Sequence, residues 1–481
     1  ADPLATAHAL APVLDMNEAA LREKLASDTS FVYLARKVDD GVAEAVKRLH
    51  LAGIQLLDEP KRIVPSGDLA GPVLGQVGVD DEGLSGLEKQ YEKVLTGRAG
   101  ELLVERDPGG NDIAAGLRQL KPSARGDNLV LTLDRAMQYE TERALRDSIV
   151  SANAKGGMAL VMDPTTGEIL AMANLVVEKK GQPPVAPADN MAVTRVFEPG
   201  STNKVVTVAA ALEEGVVNPS TRMNVADTLQ VADVLFHDAE EHELMWWTTA
   251  DILAHSSNVG TIQVAQRLGP QRLARAALDF GYGKVTGVDF PGESAGLVNP
   301  VSQWRCTDLG VNAIGQGVAV TVLQMASVYA TVANNGVLRP PTLLRGMVDA
   351  HGRVEKAERK PGRRVVSART ARTLSRILEG VVEDGGTGTE AALDEWRVAG
   401  KTGTARKPDT EHGGYLPGAY VGSFIGFAPA QRPAVVVAVV IDQPTRGYYG
   451  GSVAAPVFRE VTASALRRQG VVPTLPAKAV R

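Results

Sequence analysis

The chain has 481 residues, which at roughly 150 residues per domain predicts two or three domains. Its apolar content of 44% and charged content of 22% are ordinary for a folded globular protein and exclude wholesale disorder. The net charge of −5 provides no basic surface able to neutralise a phosphate backbone, so nucleic acid is excluded as the main partner.

The single cysteine and the length of the apolar runs exclude further classes of protein. Cys306 stands alone, so an internal disulfide and any C-x-x-C metal or redox site are excluded, and we expect it to be a buried small apolar residue. No run reaches the roughly 18 apolar residues of a membrane span, and the densest, 435–441, has the length of a strand. Residues 1–14 lack the basic start and long apolar centre of a signal peptide. Either the protein is cytosolic, or a targeting segment has been removed.

The first 127 residues predict a small α+β module. Apolar positions recur at helical spacing over 17–26 and 39–51. Five glycines then interrupt an irregular stretch over 71–86. We expect this module to occupy residues 1–127.

A compact unit is predicted over residues 128–470, followed by a flexible tail at 471–481. A strand at 129–133 precedes a helix that Asp134 can cap, and a hairpin follows at 158–163 and 168–174. Further helical patterns lie after Ser201 and at 249–269, 321–334, 368–383 and 453–468, and further strands at 398–405, 419–427 and 434–441. Consecutive strands joined by short turns predict an antiparallel sheet with helices packed on it.

Ser201 and Lys204 form the pattern S-x-x-K at the start of an apolar helix that extends to Glu214 and ends at Gly215. Residues three apart on a helix share a face, so the hydroxyl would lie beside an amine able to take its proton. The free amides at the helix start favour developing negative charge. The pattern alone is weak, because about two copies are expected by chance in a chain this long. An exposed lysine near a helix cap is the ordinary alternative.

Ser256 and Asn258 form S-x-N after the helical pattern that starts at residue 249. A second hydroxyl and a carboxamide could shuttle a proton and orient a substrate amide. Taken alone, the pattern is equally typical of a plain junction between helices.

Lys401, Thr402, Gly403 and Thr404 lie in a strand-like run. A strand with an amine, two hydroxyls and a glycine that lets another backbone come close suits the docking of a peptide that ends in a carboxylate. A phosphate loop is excluded, because Glu395 stands where that motif requires glycine. A strand-edge lysine without function is the alternative.

Three histidines lie between the first two motifs: His237, His242 and His255. One of them could serve as the base of a Ser-His-Asp hydrolase, but Lys204 already fills that role. The run 237–243 does not match H-E-x-x-H, and it predicts a solvated acidic loop rather than a metal site.

The order S-x-x-K, S-x-N, K-T-G is the signature of penicillin-recognising serine enzymes. Over nearly its whole length, the chain resembles the class B penicillin-binding proteins of the cell-division and sporulation (FtsI/SpoVD-like) branch. Other segments that carry the resemblance are 33–36, 61–62 before Pro65, 86–88 with Tyr91, 131–134, 315–317, 386–388, 422–429 and 448–451. The N-terminal part of the match separates the chain from stand-alone β-lactamases and carboxypeptidases.

The resemblance implies an α+β fold. Its transpeptidase domain would have an antiparallel β-sheet flanked by helices plus an all-helical subdomain, on an elongated, dimerisation-like N-terminal pedestal that is truncated here. Family members begin with a cytoplasmic tail, one membrane anchor and a segment reading R-G-x-I-x-D-R-x-G, none of which occurs in this sequence. We therefore expect the protein to act at the outer face of the bacterial cytoplasmic membrane, with its anchor outside this sequence.

The resemblance also implies the function: a peptidoglycan D,D-transpeptidase of septal wall synthesis, and a target of β-lactams, that cross-links stem peptides ending in D-Ala-D-Ala. Ser201 would be the nucleophile and Lys204 its base. The implied roles of the other residues are proton relay by Ser256, binding of the peptide amide by Asn258, binding of the terminal carboxylate by Lys401, Thr402 and Thr404 in the strand that contains Gly403, and an oxyanion hole of the amides of Ser201 and Thr404. Expected partners are a membrane glycosyltransferase and division proteins, and no metal or organic cofactor is expected.

Two alternatives share these motifs. A β-lactamase or β-lactam sensor would need a deacylating glutamate, and Glu214 with Asn218 has a suggestive spacing but precedes Ser256. A catalytically idle scaffold for the division machinery is the second alternative.

Overall fold

The computed structural model describes residues 2–105, 113–409 and 411–476. The N-terminal module consists of short helices and an antiparallel ladder of β1 with β2. Its elements are α1 (Pro3–Leu14), α2 (Glu18–Leu25), α3 (Asp40–Arg48), α4 (Gly71–Leu74), α5 (Gly86–Gln90), α6 (Glu92–Leu95), β1 (Glu101–Val104) and β2 (Arg118–Lys121).

The remaining elements, which together are called the C-terminal unit, are helices, strands and 3-10 turns. Its elements are β3 (Asn128–Leu131), α7 (Arg135–Ser151), β4 (Gly156–Met162), β5 (Ile169–Val176), α8 (Met191–Thr194), η1 (Gly200–Asn203), α9 (Lys204–Glu213), β6 (Arg222–Val225), β7 (Thr228–Val231), β8 (Val234–His237), β9 (Met245–Thr248), α10 (Thr249–Ala254), α11 (Asn258–Leu268), α12 (Pro270–Asp279), β10 (Leu297–Val298), η2 (Val301–Gln303), α13 (Asp308–Ala313), β11 (Val318–Ala319), α14 (Val322–Ala333), β12 (Val337–Leu338), β13 (Leu344–Val348), β14 (Val354–Lys356), β15 (Arg363–Arg364), α15 (Ala368–Glu379), η3 (Thr389–Ala391), β16 (Ala399–Pro408), β17 (Tyr415–Ala428), β18 (Val435–Asp442), α16 (Gly450–Val453) and α17 (Ala455–Arg468).

A five-stranded antiparallel sheet forms the centre of this unit, in the order β16-β17-β18-β4-β5. Helices α7 and α17 contact each other and the sheet, and α14 contacts β4, β17 and β18. Nearly every residue of β4 and β18 is buried, whichever way its side chain points. The sheet is therefore covered on both faces, and the predicted antiparallel sheet with packed helices is confirmed.

Helix α7 begins where the sequence predicts. The Asp134 carboxylate accepts hydrogen bonds from the backbone N–H groups of Ala136 and Met137, both at 3.0 Å, and so caps the helix. Its buried positions, among them Thr141 and Leu145, recur at helical spacing and face β4 and β5.

The helical region between β5 and β16 departs from the sequence expectation in two places. It contains short antiparallel ladders, β6 with β9, β7 with β8 and β10 with β11, in addition to its helices. The helical pattern at 249–269 is also two helices, α10 and α11, because Ser256 adopts a left-handed backbone conformation with φ of 59°. The backbone cannot continue a helix through such a residue.

The two units are in contact. The Tyr91 hydroxyl donates to Asp289 Oδ2 at 2.7 Å, and the neighbouring Gln90 donates to Oδ1 of the same carboxylate at 2.6 Å. Val73 and Leu87 belong to the same buried cluster as the central sheet. The part of the module next to the C-terminal unit therefore shares its core.

The C-terminal end and the cysteine also bear on the sequence expectations. Trp396 Nε1 donates to the Val472 carbonyl at 3.1 Å, so the start of the predicted tail contacts the C-terminal unit, and residues 477–481 lie outside the described residues.

Cys306 is exposed, and the prediction that it is buried was wrong, because it lies in the surface segment between η2 and α13. Over the described ranges, no helix combines the length and the apolar character needed to cross a membrane.

Gln138 on α7 hydrogen-bonds to the backbone of the edge strand β5. Its side chain is buried, its Oε1 accepts from Met172 N at 2.7 Å and its Nε2 donates to Met172 O at 3.0 Å. We expect Gln138→Ala to leave both backbone groups unpaired in the interior and to lower the free energy of unfolding by about 2–4 kcal/mol. Thermal unfolding would detect this as a lower midpoint. Arg135→Ala, at an exposed position of the same helix, should not lower the midpoint, and an unchanged midpoint for Gln138→Ala would contradict this role of Gln138.

Candidate active site

The first motif lies at the junction of η1 and α9. Ser201 is half-buried within η1, and Lys204 begins α9, which ends at the cap residue Glu214 before Gly215 with φ of 67°. The predicted helix is thus present, preceded by a 3-10 turn. The serine lies at the helix start, where unpaired N–H groups favour negative charge.

The Lys204 amine joins the first motif to the second. The side chain has no exposed surface, and Nζ donates to Ser256 O at 2.5 Å and to Asn258 Oδ1 at 2.7 Å. The Ser256 hydroxyl oxygen lies 3.4 Å from the same nitrogen. The structure therefore places Lys204, Ser256 and Asn258 in one cluster.

The Ser201 hydroxyl makes no hydrogen bond to any residue in the described ranges. The hydrogen bond to Lys204 that the S-x-x-K spacing predicts is therefore not formed in this structure. The two side chains remain close in sequence on one helical turn, and such pairs commonly tighten only when substrate binds.

Burial sets the protonation of the two lysines of the site. It lowers the pKa of Lys204 to about 7, although the charge of Asp238 acts in the opposite direction. Burial also holds the pKa of Lys401 well below its usual range, and the charge of Lys204 lowers it further. A substantial fraction of Lys204 is thus neutral near pH 7, as a general base must be.

The third motif lies on β16, an edge strand of the central sheet. Lys401 is fully buried, and its Nζ donates to the carbonyl and the hydroxyl of Thr402 at 3.3 and 3.2 Å. The hydroxyls of Thr402 and Thr387 are 2.7 Å apart, and the Thr404 hydroxyl accepts from Gly450 N at 3.1 Å. An edge strand leaves backbone groups for an extended peptide to pair with.

Gly403 brings the third motif against the first. A Cβ at this position would lie 2.4 Å from Ser423 Oγ and 3.0 Å from Thr202 Cγ2. The sequence pattern predicts that this glycine lets a ligand come close, whereas the structure fills the space with the protein's own side chains. Gly315 acts similarly, because a Cβ there would lie 2.3 Å from Gly200 O. Only glycine lets the nucleophile's turn pack this closely on its neighbours.

A buried carboxylate holds the S-x-N turn (residues 256–258). Asp238 accepts hydrogen bonds from Asn258 N, from Val259 N at 3.0 Å and from Ser257 Oγ at 2.7 Å, and its side chain is only 5% exposed. The prediction that 237–243 is a solvated acidic loop is therefore wrong at Asp238. The surrounding residues do fit it, since Glu240, Glu241 and Glu243 are exposed.

The histidines do not face the nucleophile. His242 Nε2 lies 3.0 Å from Asp238 Oδ2, and the exposed His255 stacks on Trp247. Within the described ranges no histidine hydrogen-bonds to Ser201, and no group of three or more His, Cys, Asp or Glu side chains could hold a metal ion.

A further titratable group stands beside the nucleophile's turn. Glu198 precedes Pro199, Gly200 and Ser201, and burial raises its pKa to about 7 although the Tyr415 hydroxyl donates to its Oε2 at 3.0 Å. This carboxyl changes charge in the same pH range as Lys204.

Several residues of the site were not assigned from the sequence: Asp238, Thr387, Gly450 and Gly315. The last three lie in segments that carry the family resemblance, so their clustering around the motifs could have been anticipated. No local pattern indicated Asp238, because its partners in the S-x-N turn lie about twenty positions further along the chain.

Comparisons with known proteins agree with this arrangement. The family described as Penicillin binding protein transpeptidase domain matches residues 157–463, and the Penicillin-binding Protein dimerisation domain matches residues 1–131. The chain is 38% identical to penicillin-binding protein PbpB of Mycolicibacterium smegmatis, over 93% of this chain and 71% of that protein. It is 35% identical to peptidoglycan D,D-transpeptidase FtsI of Escherichia coli K12, over 92% of this chain and 73% of that protein.

The fold agrees as well. Penicillin-binding protein 3 of Mycobacterium tuberculosis, in a crystal structure complexed with aztreonam, superposes with a TM-score of 0.77 at 35% identity, over 87% of this chain and 93% of that chain. Family models and relatives therefore cover most of the chain, and this chain belongs to the class B penicillin-binding proteins of the division and sporulation branch.

Proposed function

We propose that this chain is a peptidoglycan D,D-transpeptidase of septal wall synthesis that works through an acyl-enzyme on Ser201 and is acylated there by β-lactams. The observation that carries the proposal is the buried Lys204 amine, held between Ser256 and Asn258 at the start of the helix that follows Ser201. The FtsI relative is named as such a transpeptidase, and the M. tuberculosis relative is seen with a β-lactam.

The hydrogen-bonding capacity of the amine supports its role as the base. A neutral amine has two N–H donors and one lone pair. Ser256 O and Asn258 Oδ1 only accept from it in these contacts, so together they can use both donors. The lone pair is then left for a hydroxyl proton, which is the state needed to activate Ser201.

The reaction has two stages, acylation of Ser201 and transfer of the acyl group to a second amine. Ser201 Oγ attacks the carbonyl carbon of the penultimate D-Ala, and its proton passes to Lys204. The amides of Ser201 and Thr404 bind the oxyanion. As the C–N bond breaks, the leaving D-Ala amine receives a proton through the Ser256 hydroxyl, 3.4 Å from Lys204 Nζ. An amine from a second stem peptide attacks the ester carbon and loses its proton to the same relay. The C–O bond to Ser201 then breaks, and Lys204 returns a proton to Ser201 Oγ.

The strand β16 suits the terminal carboxylate. The hydrogen-bond donors would come from the amine of Lys401 and the hydroxyls of Thr402 and Thr404. The Thr404 hydroxyl accepts from Gly450 N, which leaves its O–H free to donate, whereas the Thr402 hydroxyl is shared with Thr387. We infer that Thr404 makes the more direct contact, while Gly403 keeps the strand close to Thr202. Asn258 would exchange its bond to His237 O for one to the peptide.

Two alternative functions are weaker. A β-lactamase needs a deacylating carboxylate near Ser201, but Glu214 lies at the far end of the ten-residue α9, about 15 Å along its axis. Glu214 pairs there with Arg272 at 3.5 Å. An idle scaffold would have no need to bury the Lys204 amine, because burying an ionisable group costs stability.

The proposal also covers the domain boundaries of the chain, its place in the cell and its partner proteins. We place the pedestal at 1–127, the transpeptidase domain at 128–470 and the tail at 471–481, since β3 from residue 128 pairs with β13 of the C-terminal unit. The enzyme would act at the outer face of the cytoplasmic membrane, held by an N-terminal anchor. There it would work with a membrane glycosyltransferase and division proteins.

Labelled penicillin tests the nucleophile. Wild-type protein should form a stable adduct that peptide mass spectrometry locates on Ser201, because Glu214, the carboxylate considered for deacylation, lies at the far end of α9. Ser201→Ala should form none, while Ser302→Ala, a matched change at an exposed serine, should label normally. Rapid turnover of the penicillin would favour a β-lactamase, and an adduct retained in Ser201→Ala would refute the assignment.

The pH dependence of acylation tests the base. Below its pKa of about 7 Lys204 is protonated and cannot accept the serine proton, so the acylation rate should fall about tenfold per pH unit below that value and level off above it. Lys204→Met should lower the rate by roughly 10²–10⁴-fold at neutral pH. Stopped-flow acylation measures both.

Glu198 is the control for this profile, because its pKa is also raised to about 7. Glu198→Gln removes that titration and should leave the acid limb of the profile in place. If the acid limb disappears in Glu198→Gln, the group that causes the pH dependence is the carboxyl of Glu198 and not the amine of Lys204.

A further inference from the structure

Asp238 is held firmly in place just beyond strand β8. Its backbone N donates to Asp227 O at 2.8 Å, so β7 and β8 fix its position. Its carboxylate points inward, with a side chain 5% exposed, and accepts from Ser257, Asn258 and Val259. Acidic residues at such exposed hairpin ends normally point into water, so this burial needs an explanation.

The contacts explain how the S-x-N turn keeps its shape. Two of the donors are the N–H groups at the start of α11, which have no partner within the helix. The third is the hydroxyl of Ser257, the N-cap residue, whose oxygen accepts from Gly260 N at 2.8 Å. Ser256 directly precedes this cap and has its φ of 59°. One carboxylate therefore bonds to the segment that follows a left-handed residue.

We propose that Asp238 is a positioning residue for the reaction: its carboxylate fixes the S-x-N turn so that Ser256 and Asn258 meet the amine of Lys204. The inference rests on the proposed function, because it assumes the roles of Ser201, Lys204 and Ser256 given above. Among the described residues Asp238 makes no hydrogen bond to Ser201, and its bonds to the S-x-N turn are the route by which it acts.

The charges around Asp238 add a second effect. Lys204 faces Asp238 and Lys401, and the charge of Asp238 raises the pKa of Lys204 against the effect of burial. His242 faces Asp238, Asp227 and the Glu243 carbonyl. Asp238 thus holds the turn and also tunes the amine.

His242 limits that tuning. Both its ring nitrogens face acceptors, Asp238 Oδ2 and Glu243 O, which favours the doubly protonated ring. Burial lowers the pKa of His242, but the bonds to Asp238 and Glu243 outweigh it and the pKa is raised. When this imidazole is protonated, its charge partly neutralises the carboxylate that Lys204 faces.

Two substitutions separate position from charge. Asp238→Asn keeps the shape and one acceptor oxygen but removes the charge, and Asp238→Ala removes both. Acylation by labelled penicillin should slow about 10²-fold in Asp238→Ala, the scale expected when reacting groups are misplaced, and by less in Asp238→Asn. In both variants the pH midpoint of acylation should move down by roughly half a unit, because a charge that favours protonated Lys204 is gone.

Glu241→Gln is the matched control, since it removes one negative charge from an exposed position of the same loop. It should change neither the rate nor the midpoint. Thermal unfolding and circular dichroism verify that each variant folds, and if Asp238→Ala does not fold, Asp238→Asn decides the test.

The outcomes separate this inference from the function it rests on. A wild-type rate and midpoint in Asp238→Asn would overturn the inference, and so would a slower rate with an unmoved midpoint, which is what a merely structural role gives. In either case an adduct on Ser201 that is lost in Ser201→Ala would leave the proposed function intact. Labelling that persists in Ser201→Ala would instead refute the function.

Discussion

The contact on which the rest of the site depends is that of the Lys204 amine with Ser256 O and Asn258 Oδ1, in a place with no exposed surface. Burial disfavours the ammonium form, and the two oxygens suit a neutral amine because each can take one of its N–H groups. The same contact ties the helix that follows the serine to the turn that supplies the second hydroxyl. This one buried contact therefore sets both the position of the Lys204 amine and its protonation state.

Strand β16, the S-x-N turn and the central sheet each position a part of the site around this amine. The edge strand β16 packs against η1 because Gly403 has no side chain to hold them apart. The S-x-N turn is held from the other side by the carboxylate of Asp238. β16 is itself an edge strand of the central sheet, and the sheet is held rigidly because it is covered on both faces. Groups far apart in sequence meet because each belongs to a well-packed element.

The sequence predicted much of this where patterns are local. The hairpin of β4 and β5, the cap at Asp134 and the three strands of the last third were placed within a few residues, since periodicity and capping act over short spans. Helix α1 went unpredicted, and the short ladders around Asp238 were missed, because strands of four residues carry little periodicity. The burial of Asp238 and the exposure of Cys306 follow from tertiary packing, which residue type alone does not determine.

A titration of Lys204 itself shows whether its amine is neutral near pH 7. Lysine labelled with carbon-13 at Cε reports the charge of its own amine by NMR, and the difference from the Lys204→Arg spectrum identifies the signal. We expect the amine of Lys204 to titrate near pH 7 in the free enzyme. A Lys204 signal that stays protonated up to about pH 10, the ordinary range of lysine, would contradict it.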